Sequence, residues 1–349
     1  MSGVNAVYII KNLKKCIKKC PIIDGADQYV MNRLTRSFEF QITPVPPYNF
    51  DLTARRPTGW SLFTPFEIYE NDILWTATHL DSTLAGIKLS SNGSVSNPKV
   101  LVRIFSRKEQ KPDEQENVKR LIGKALGADQ DLSEFYGMAR KDSILKHVID
   151  DLYGMHDTFS ITIFPEAVLA ILLQMAPLKR SNEMMACFIQ KYGEVTEFEG
   201  KKILAWPTPK RISKVTDREL AENCKVGYRA KNIVSLARKL AKGDFPTSEQ
   251  ILEMDPDEAK KMLLELPGIG DYSADIINPH GGFPIDVWST EVFAKLFFDK
   301  KPHNNREAVD KVKNDGLKRW GKWSWMAFYY IVQDLPNLSK KLKKDLRLS

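Results

Sequence analysis

The chain of 349 residues carries 52 Lys and Arg against 44 Asp and Glu, a formal net charge of +8. Hydrophobic residues make up 43% and charged residues 28%, a soluble globular profile with room for about two or three domains. The longest apolar run, Ala167 to Leu173, is too short to cross a bilayer, and the lysine-broken N-terminus lacks a signal-peptide core. The expected location is therefore intracellular, in cytoplasm, nucleoid or nucleus, with no membrane partner, and the basic balance suits nucleic acid.

Residues 1–20 set Val7, Ile10, Leu13 and Ile17 at helical spacing among Lys11, Lys14, Lys15, Lys18 and Lys19, ending at Pro21. They predict a short basic amphipathic helix within an N-terminal segment, 1–36. Cys16 and Cys20, at helical spacing, suit two reduced thiols better than a metal or redox pair. From Phe38 the period changes to two: Phe38, Phe40 and Ile42, then "ILWTATHL", "TLAGIKL" and Val100 to Phe105, with Asn92-Gly93 as a hairpin signal. Residues 37–110 predict an antiparallel β-rich domain. A charged junction at 106–116 leads into a body, 111–349, with helical periodicity throughout. Helices are expected at 114–126, 131–153, 165–175, 181–192, 216–223, 228–241, 247–251, 256–265, 271–279, 288–299, 305–319 and 324–333, several with caps such as Thr216, Thr247 and Asp255-Pro256. The expected class is α+β, mainly α: a β-rich domain followed by an all-helical body.

Within that body "LPGIGDYSADIINPHGGFPIDVWS", 266–289, stands out. Helix, turn and helix follow one another, and Gly268 and Gly270 permit positive φ and close approach by a ligand. A helix start preceded by glycines offers free N–H groups to an anion, although an ordinary helix–helix turn reads the same way. Asp286 then sits in an apolar setting, where an aspartate could simply cap the helix that follows.

The frame L-x-x-L-P-G-I-G followed by S-A-D-I and by "FPIDVWS" resembles the helix-hairpin-helix DNA glycosylase superfamily (HhH-GPD). "CKVGYRAKNIVSLARKLA" (224–241), "FPEAVLAILLQMAPLKRSNEMMACFIQKYGE" (164–194) and "TPVPPYNFDLTARRP" (43–57) extend the resemblance, most like the 3-methyladenine DNA glycosylase II branch, over about residues 38–335. The resemblance implies a monofunctional base-excision enzyme that flips an alkylated or deaminated purine out of duplex DNA and hydrolyses its N-glycosidic bond. Asp286 would be the catalytic carboxylate that stabilises a cationic sugar and orients water. Bifunctional members carry a lysine two residues after the second hairpin glycine. Tyr272 stands there instead, and a phenol cannot form a Schiff base, so lyase activity is not expected.

Tyr272, Trp288 and Ile276 would line the base pocket, with core packing the alternative for Tyr272. The backbone of Gly268 and Gly270 would grip phosphate. Gln174 and Met175 match the positions that enter the gap left by the flipped base, although Met175 also continues an apolar helix face. Lys179, Arg180, Arg229 and Lys231 would contact phosphate unless they are only solvated charges. The resemblance implies a structural Na+ or K+ on the carbonyls of Leu264, Leu266 and Ile269, and no other required cofactor. No cysteine follows Cys224, which excludes the four-cysteine iron–sulfur loop. The aromatic cluster from Trp320 to Tyr330 suits core, and the expected state is a monomer on damaged double-stranded DNA. Three other readings remain open: an 8-oxoguanine-type glycosylase, a non-catalytic HhH DNA binder that would not need Asp286, and a protein–protein adaptor, which leaves the glycine turn unexplained.

Overall fold

The computed structural model describes residues 31–56, 62–80, 83–278 and 282–346. The expected helix at 1–20, with Cys16 and Cys20, lies outside the described residues.

The alternating segments form a five-stranded antiparallel sheet in the order β2-β6-β5-β4-β3, with β2 Arg36–Ile42, β3 Ile68–Glu70, β4 Ile73–Leu80, β5 Thr83–Ser91 and β6 Val100–Ser106. Period-two patterning gives the sheet two apolar faces. One face, with Ile87 opposite Ile104 and Leu89 opposite Val102, packs with Val118, Ile122 and Ala125 of a helix at Pro112–Ala125. That helix, expected as the start of the helical body, thus shares its core with the sheet. The β5–β6 hairpin is present, but Asn92-Gly93 does not form its tight turn. The reversal comes at Ser94 and Asn97, which exchange backbone hydrogen bonds at 3.2 Å.

The other face carries Trp75, Ala77 and Phe105, and it is covered by a feature the sequence reading did not contain. Inside the segment expected to be wholly helical, β7 Glu194–Phe198 and β8 Lys201–Ala205 form a hairpin that packs on the sheet through Phe198, Ile203 and Ala205. A short β1, Asn32–Arg33, pairs in parallel with β7. The hairpin turns through Glu199 and Gly200, both at positive φ (45° and 71°). The Glu199 carboxylate is held by Lys88 Nζ at 2.8 Å, Arg103 Nη1 at 2.9 Å and Trp75 Nε1 at 3.4 Å. A Cβ at Gly86 would come within 2.4 Å of the Phe198 ring, so glycine there lets the hairpin seat.

The helices, in chain order, are α1 Phe50–Arg55, α2 Pro112–Ala125, α3 Ser133–Ala139, α4 Ile163–Leu173, α5 Leu178–Tyr192, α6 Pro209–Ile212, α7 Asp217–Cys224, α8 Arg229–Leu240, α9 Ser248–Glu253, α10 Pro256–Leu264, α11 Asp271–Ile277, α12 Val287–Phe298, α13 Asn305–Trp320, α14 Ser324–Gln333 and α15 Leu335–Leu342. The class is α+β, mainly α, as expected. The helix expected at 131–153 is broken after α3. Asp142 Oδ1 accepts the N–H groups of Ile144 and Leu145 at 2.8 and 2.9 Å and opens a separate turn. Two cores fill the body. One gathers Phe66 and residues between Ile163 and Ile277; the other joins Leu132–Met155 to Phe283–Leu346. The chain crosses from the first core to the second between Ile277 and Phe283.

Candidate active site at the junction of the two helical cores

The hairpin is assembled by local signals. Asp255 caps α10 by accepting the N–H groups of Asp257 and Glu258, and Pro256 takes the first helical position, where its missing N–H costs nothing. Gly268 then turns the chain at φ +81°, and a Cβ there would meet the Asn232 side chain of α8 at 2.7 Å, so glycine is required twice over. Gly270 differs from expectation. Its φ of −104° suits any residue. A Cβ there would meet nothing within 4 Å, which leaves the start of α11 open to approach from outside.

α11 displays Tyr272 and, one turn on, Ile276, both half-buried. The Tyr272 hydroxyl is pushed well above its usual range, first by burial and then by the negative charge of Asp286. The two side chains expected at the site are therefore electrostatic neighbours. Also on α11, Asp275 is only 1% exposed and binds Lys260 Nζ of α10 at 2.7 Å and Lys313 Nζ of α13 at 2.6 Å. Asp271 binds the same two amines, Lys260 at 2.6 Å. Four charges in alternation thus tie the hairpin to α13 and occupy both lysines.

Asp286 precedes α12 and does cap it. Its Oδ1 accepts the Ser289 N–H and hydroxyl, both at 2.7 Å, and the Ser289 hydroxyl oxygen accepts the Asp286 N–H at 2.9 Å. Thr290 closes the turn, its hydroxyl donating to the Asp286 carbonyl at 2.6 Å. The capping expectation is met: the cap fixes the rotamer of a half-buried carboxylate whose charge reaches Tyr272. The Trp288 side chain lies outside the described residues.

The loop between α4 and α5 separates the two residues that were paired in the sequence reading. Gln174 does not project. Its Nε2 donates to the Gly268 carbonyl at 2.6 Å and to Ser273 Oγ at 3.3 Å, bracing the loop on the hairpin. Met175 is 73% exposed at φ +48°, so it belongs to neither α4 nor the core. Arg229 also departs from expectation. It is buried, donates to the Gln174 carbonyl and lies 4.6 Å from the centre of the Tyr228 ring, so it supports the loop instead of facing a phosphate. Arg180 is engaged locally, with the Lys225 carbonyl at 2.6 Å and Glu183 at 3.5 Å, whereas Lys179 and Lys231 are exposed.

Two features were missed. Tyr228, 60% exposed, stands on the same support as Met175, and the signal was the Tyr-Arg pair inside "GYRA". Trp325 of α14, placed with the core aromatics, is half-buried and donates from Nε1 to the buried Asp157 carboxylate at 2.5 Å. It lies 6.1 Å from Phe328, near-parallel at 22°. Its neighbour Ser324 donates to the Gly282 carbonyl at 3.1 Å, which brings the start of α14 beside the segment leading to Asp286. Burial pushes the Asp157 carboxyl up.

At the turn, the Leu266 carbonyl accepts the Ile269 N–H at 3.1 Å, while the Leu264 and Ile269 carbonyls accept no backbone hydrogen bond among the described residues. Neutral oxygens of this kind fit a weakly bound monovalent cation. Among the described residues no group of three or more His, Cys, Asp or Glu could hold a metal.

The HhH-GPD superfamily of base excision DNA repair proteins matches residues 168–322. The DNA-3-methyladenine glycosylase of Bacillus subtilis is 24% identical over 249 residues, covering 68% of this chain and 78% of that protein. A probable N-glycosylase/DNA lyase of Methanothermobacter thermautotrophicus is 26% identical over 208 residues, covering 53% of this chain and 65% of that protein. In fold, the chain resembles a 3-methyladenine DNA glycosylase from Archaeoglobus fulgidus, with a TM-score of 0.67, 20% identity, and coverage of 85% of this chain and 98% of that one. It also resembles the 8-oxoguanine glycosylase/lyase of Clostridium acetobutylicum solved with double-stranded DNA, at 0.61, 17%, 89% and 99%. The stretch that carries the hairpin at 256–277 and Asp286 beyond it thus lies within the residues, 168–322, that match the HhH-GPD superfamily of base excision DNA repair proteins.

Proposed function

We propose that the protein is a monofunctional DNA glycosylase that hydrolyses the N-glycosidic bond of alkylated or deaminated purines in duplex DNA. The observation that carries this reading is a cap-locked carboxylate, Asp286, within electrostatic reach of an aromatic, Tyr272, at the position where a lyase would need an amine. A carboxylate held in that geometry stabilises the positive charge that grows on the sugar as the base leaves, and it orients the attacking water. The Tyr272 ring, with Ile276, faces an electron-poor alkylated base with favourable cation–π attraction. The amines of Lys260 and Lys313, each bound to two carboxylates, are poor nucleophiles, which supports hydrolysis over Schiff-base chemistry.

The remaining roles follow from exposure. Met175 fills the gap left by the flipped nucleotide, and the Gly268 and Gly270 N–H groups grip the backbone, with Lys179 contributing charge. Leu264, Leu266 and Ile269 would hold a monovalent cation, whose charge would strengthen that grip.

Single-turnover base release tests the proposal on duplexes containing hypoxanthine, N-methylated purines or 8-oxoguanine, with and without alkali. Release of alkylated or deaminated purines, with strand breaks only after alkali, is the expected result. Breaks without alkali, or release of 8-oxoguanine alone, would favour a lyase of the oxidised-purine kind. Tight binding with no release from any duplex would favour a non-catalytic DNA binder.

A further inference from the structure

The cysteines of the helical body lie away from the catalytic junction, yet they meet. Cys187 sits in the middle of α5, half-exposed; Cys224 is the last residue of α7 and is buried in the first helical core, against which Cys187 packs. The Cys187 Sγ donates at 3.3 Å to the carbonyl of Asn223, the residue directly before Cys224, so the two cysteines lie at the same contact between α5 and α7. Three cations surround the pair: Lys191 one turn along α5, Arg180 at its start and Lys225 directly after Cys224. Of the acidic residues on the facing helix, Glu219 accepts from the Tyr192 hydroxyl at 3.5 Å, which in turn accepts from Asn223 Nδ2 at 3.0 Å, and Glu222 is paired with Arg218 at 2.8 Å.

We propose that Cys187 and Cys224 form a reversible oxidation site, a hydroperoxide-reactive dithiol that closes to a disulfide between α5 and α7. The roles divide by environment. The hydrogen bond from Cys224 and the charges of Lys191, Arg180 and Lys225 pull the Cys187 thiol down to about 7, against the effect of burial, while Cys224 is pushed up. Cys187 is thus the thiolate that meets solvent, and Cys224 the resolving thiol behind it. The Cys187 sulfur attacks one peroxide oxygen; the O–O bond breaks, sulfenic acid forms, and the departing oxygen leaves as water after taking a proton. The Cys224 sulfur then attacks the sulfenic sulfur; the S–S bond forms, the S–O bond breaks, and hydroxide leaves with the Cys224 proton as a second water. Two electrons pass from the thiols to the peroxide, and a dithiol reductant reverses the change. The disulfide joins the helix that begins at the Met175 loop to the helix that ends just before Tyr228 and Arg229, where Arg180 now makes the link by one hydrogen bond to Lys225.

The test uses the full chain carrying Cys16→Ser and Cys20→Ser, so that the other two thiols do not contribute. The reduced protein is treated at pH 7 with one equivalent of hydrogen peroxide, alkylated and digested for mass spectrometry. The expected result is a cross-linked peptide pair joining Cys187 to Cys224, restored to two alkylatable thiols by dithiothreitol. Cys224→Ser should halt at a sulfenic acid trapped by dimedone at Cys187, and Cys187→Ser should slow oxidation of Cys224 at least about tenfold. Full alkylation of both thiols after peroxide overturns the proposal. So does oxidation of Cys187 to the sulfinic acid while Cys224 stays alkylatable.

Discussion

Asp286 caps α12, and the chemical duty proposed for the same carboxylate can be separated from the cap by substitution. Asparagine caps helices about as well as aspartate, so Asp286→Asn should leave the melting temperature nearly unchanged. Loss of the negative charge should lower single-turnover base release by roughly 100-fold or more. Asp286→Ala should lose the same activity and also about 1 kcal/mol of stability by urea unfolding. Met175 offers the opposite pairing. A non-glycine residue at φ +48° is strained and its side chain is exposed, so Met175→Gly should hold or raise the unfolding free energy, by up to about 1 kcal/mol, while base release falls. The cap at Asp286 was legible because its signal is local, an aspartate directly before an apolar helical stretch. Arg229 and Gln174 were misread because a chain does not announce which charge or amide will be folded under a neighbouring loop. Gln174, in that loop, binds Gly268 and Arg229 binds Gln174, each across more than fifty residues of sequence, and contacts at such distances have no local pattern.

At the scale of elements, the caps and apolar periods placed most helices of the body within a few residues, and the strands of the sheet nearly to their ends. What escaped were elements whose signal depends on partners. The β7–β8 turn uses glutamate at positive φ, an uncommon choice that works here because Lys88, Arg103 and Trp75 hold its carboxylate from the sheet. The ring of Lys260, Asp271, Asp275 and Lys313 is likewise invisible in sequence, yet it sets the hairpin against α13. Lys313→Met should cost roughly 3 kcal/mol in urea unfolding, since Asp275 would stay buried with one cation instead of two. The Asp271 carboxyl is pushed up by burial, but hydrogen bonds from Lys260 and Lys313 hold it below its usual range overall. A depressed carboxylate contributes stability that is present above its unfolded value and lost as pH falls through the folded one. Acid unfolding should therefore begin at a higher pH in Lys313→Met than in the parent.

Across the whole molecule, four carboxyls among the described residues, Glu67, Asp157, Glu166 and Asp334, have the opposite sign. Burial pushes Glu67, in the segment before β4, and Glu166, in α4, up to about 8. A raised carboxyl favours the folded state most below its unfolded value, near 4.5, and that contribution fades as pH rises through about 8. The melting temperature should fall between pH 6 and pH 8.5, and Glu166→Gln should flatten that slope; an unchanged slope would exclude Glu166 as its source. The basic balance acts at the same scale. Affinity for duplex DNA should drop about tenfold or more between 50 and 200 mM salt, measured by fluorescence anisotropy.

The hairpin that covers the second face of the sheet has a consequence in time. A ribosome delivers β6 first and Ala205 only roughly a hundred residues later, about 5 to 20 s at ordinary elongation rates. Throughout that interval Trp75 and Phe105 face solvent, and β1 has no partner strand. The sheet is therefore not a self-contained unit that can be cut away after β6. It is a half-finished surface that waits for the middle of the chain, and nascent chains arrested before residue 194 should be the sticky ones.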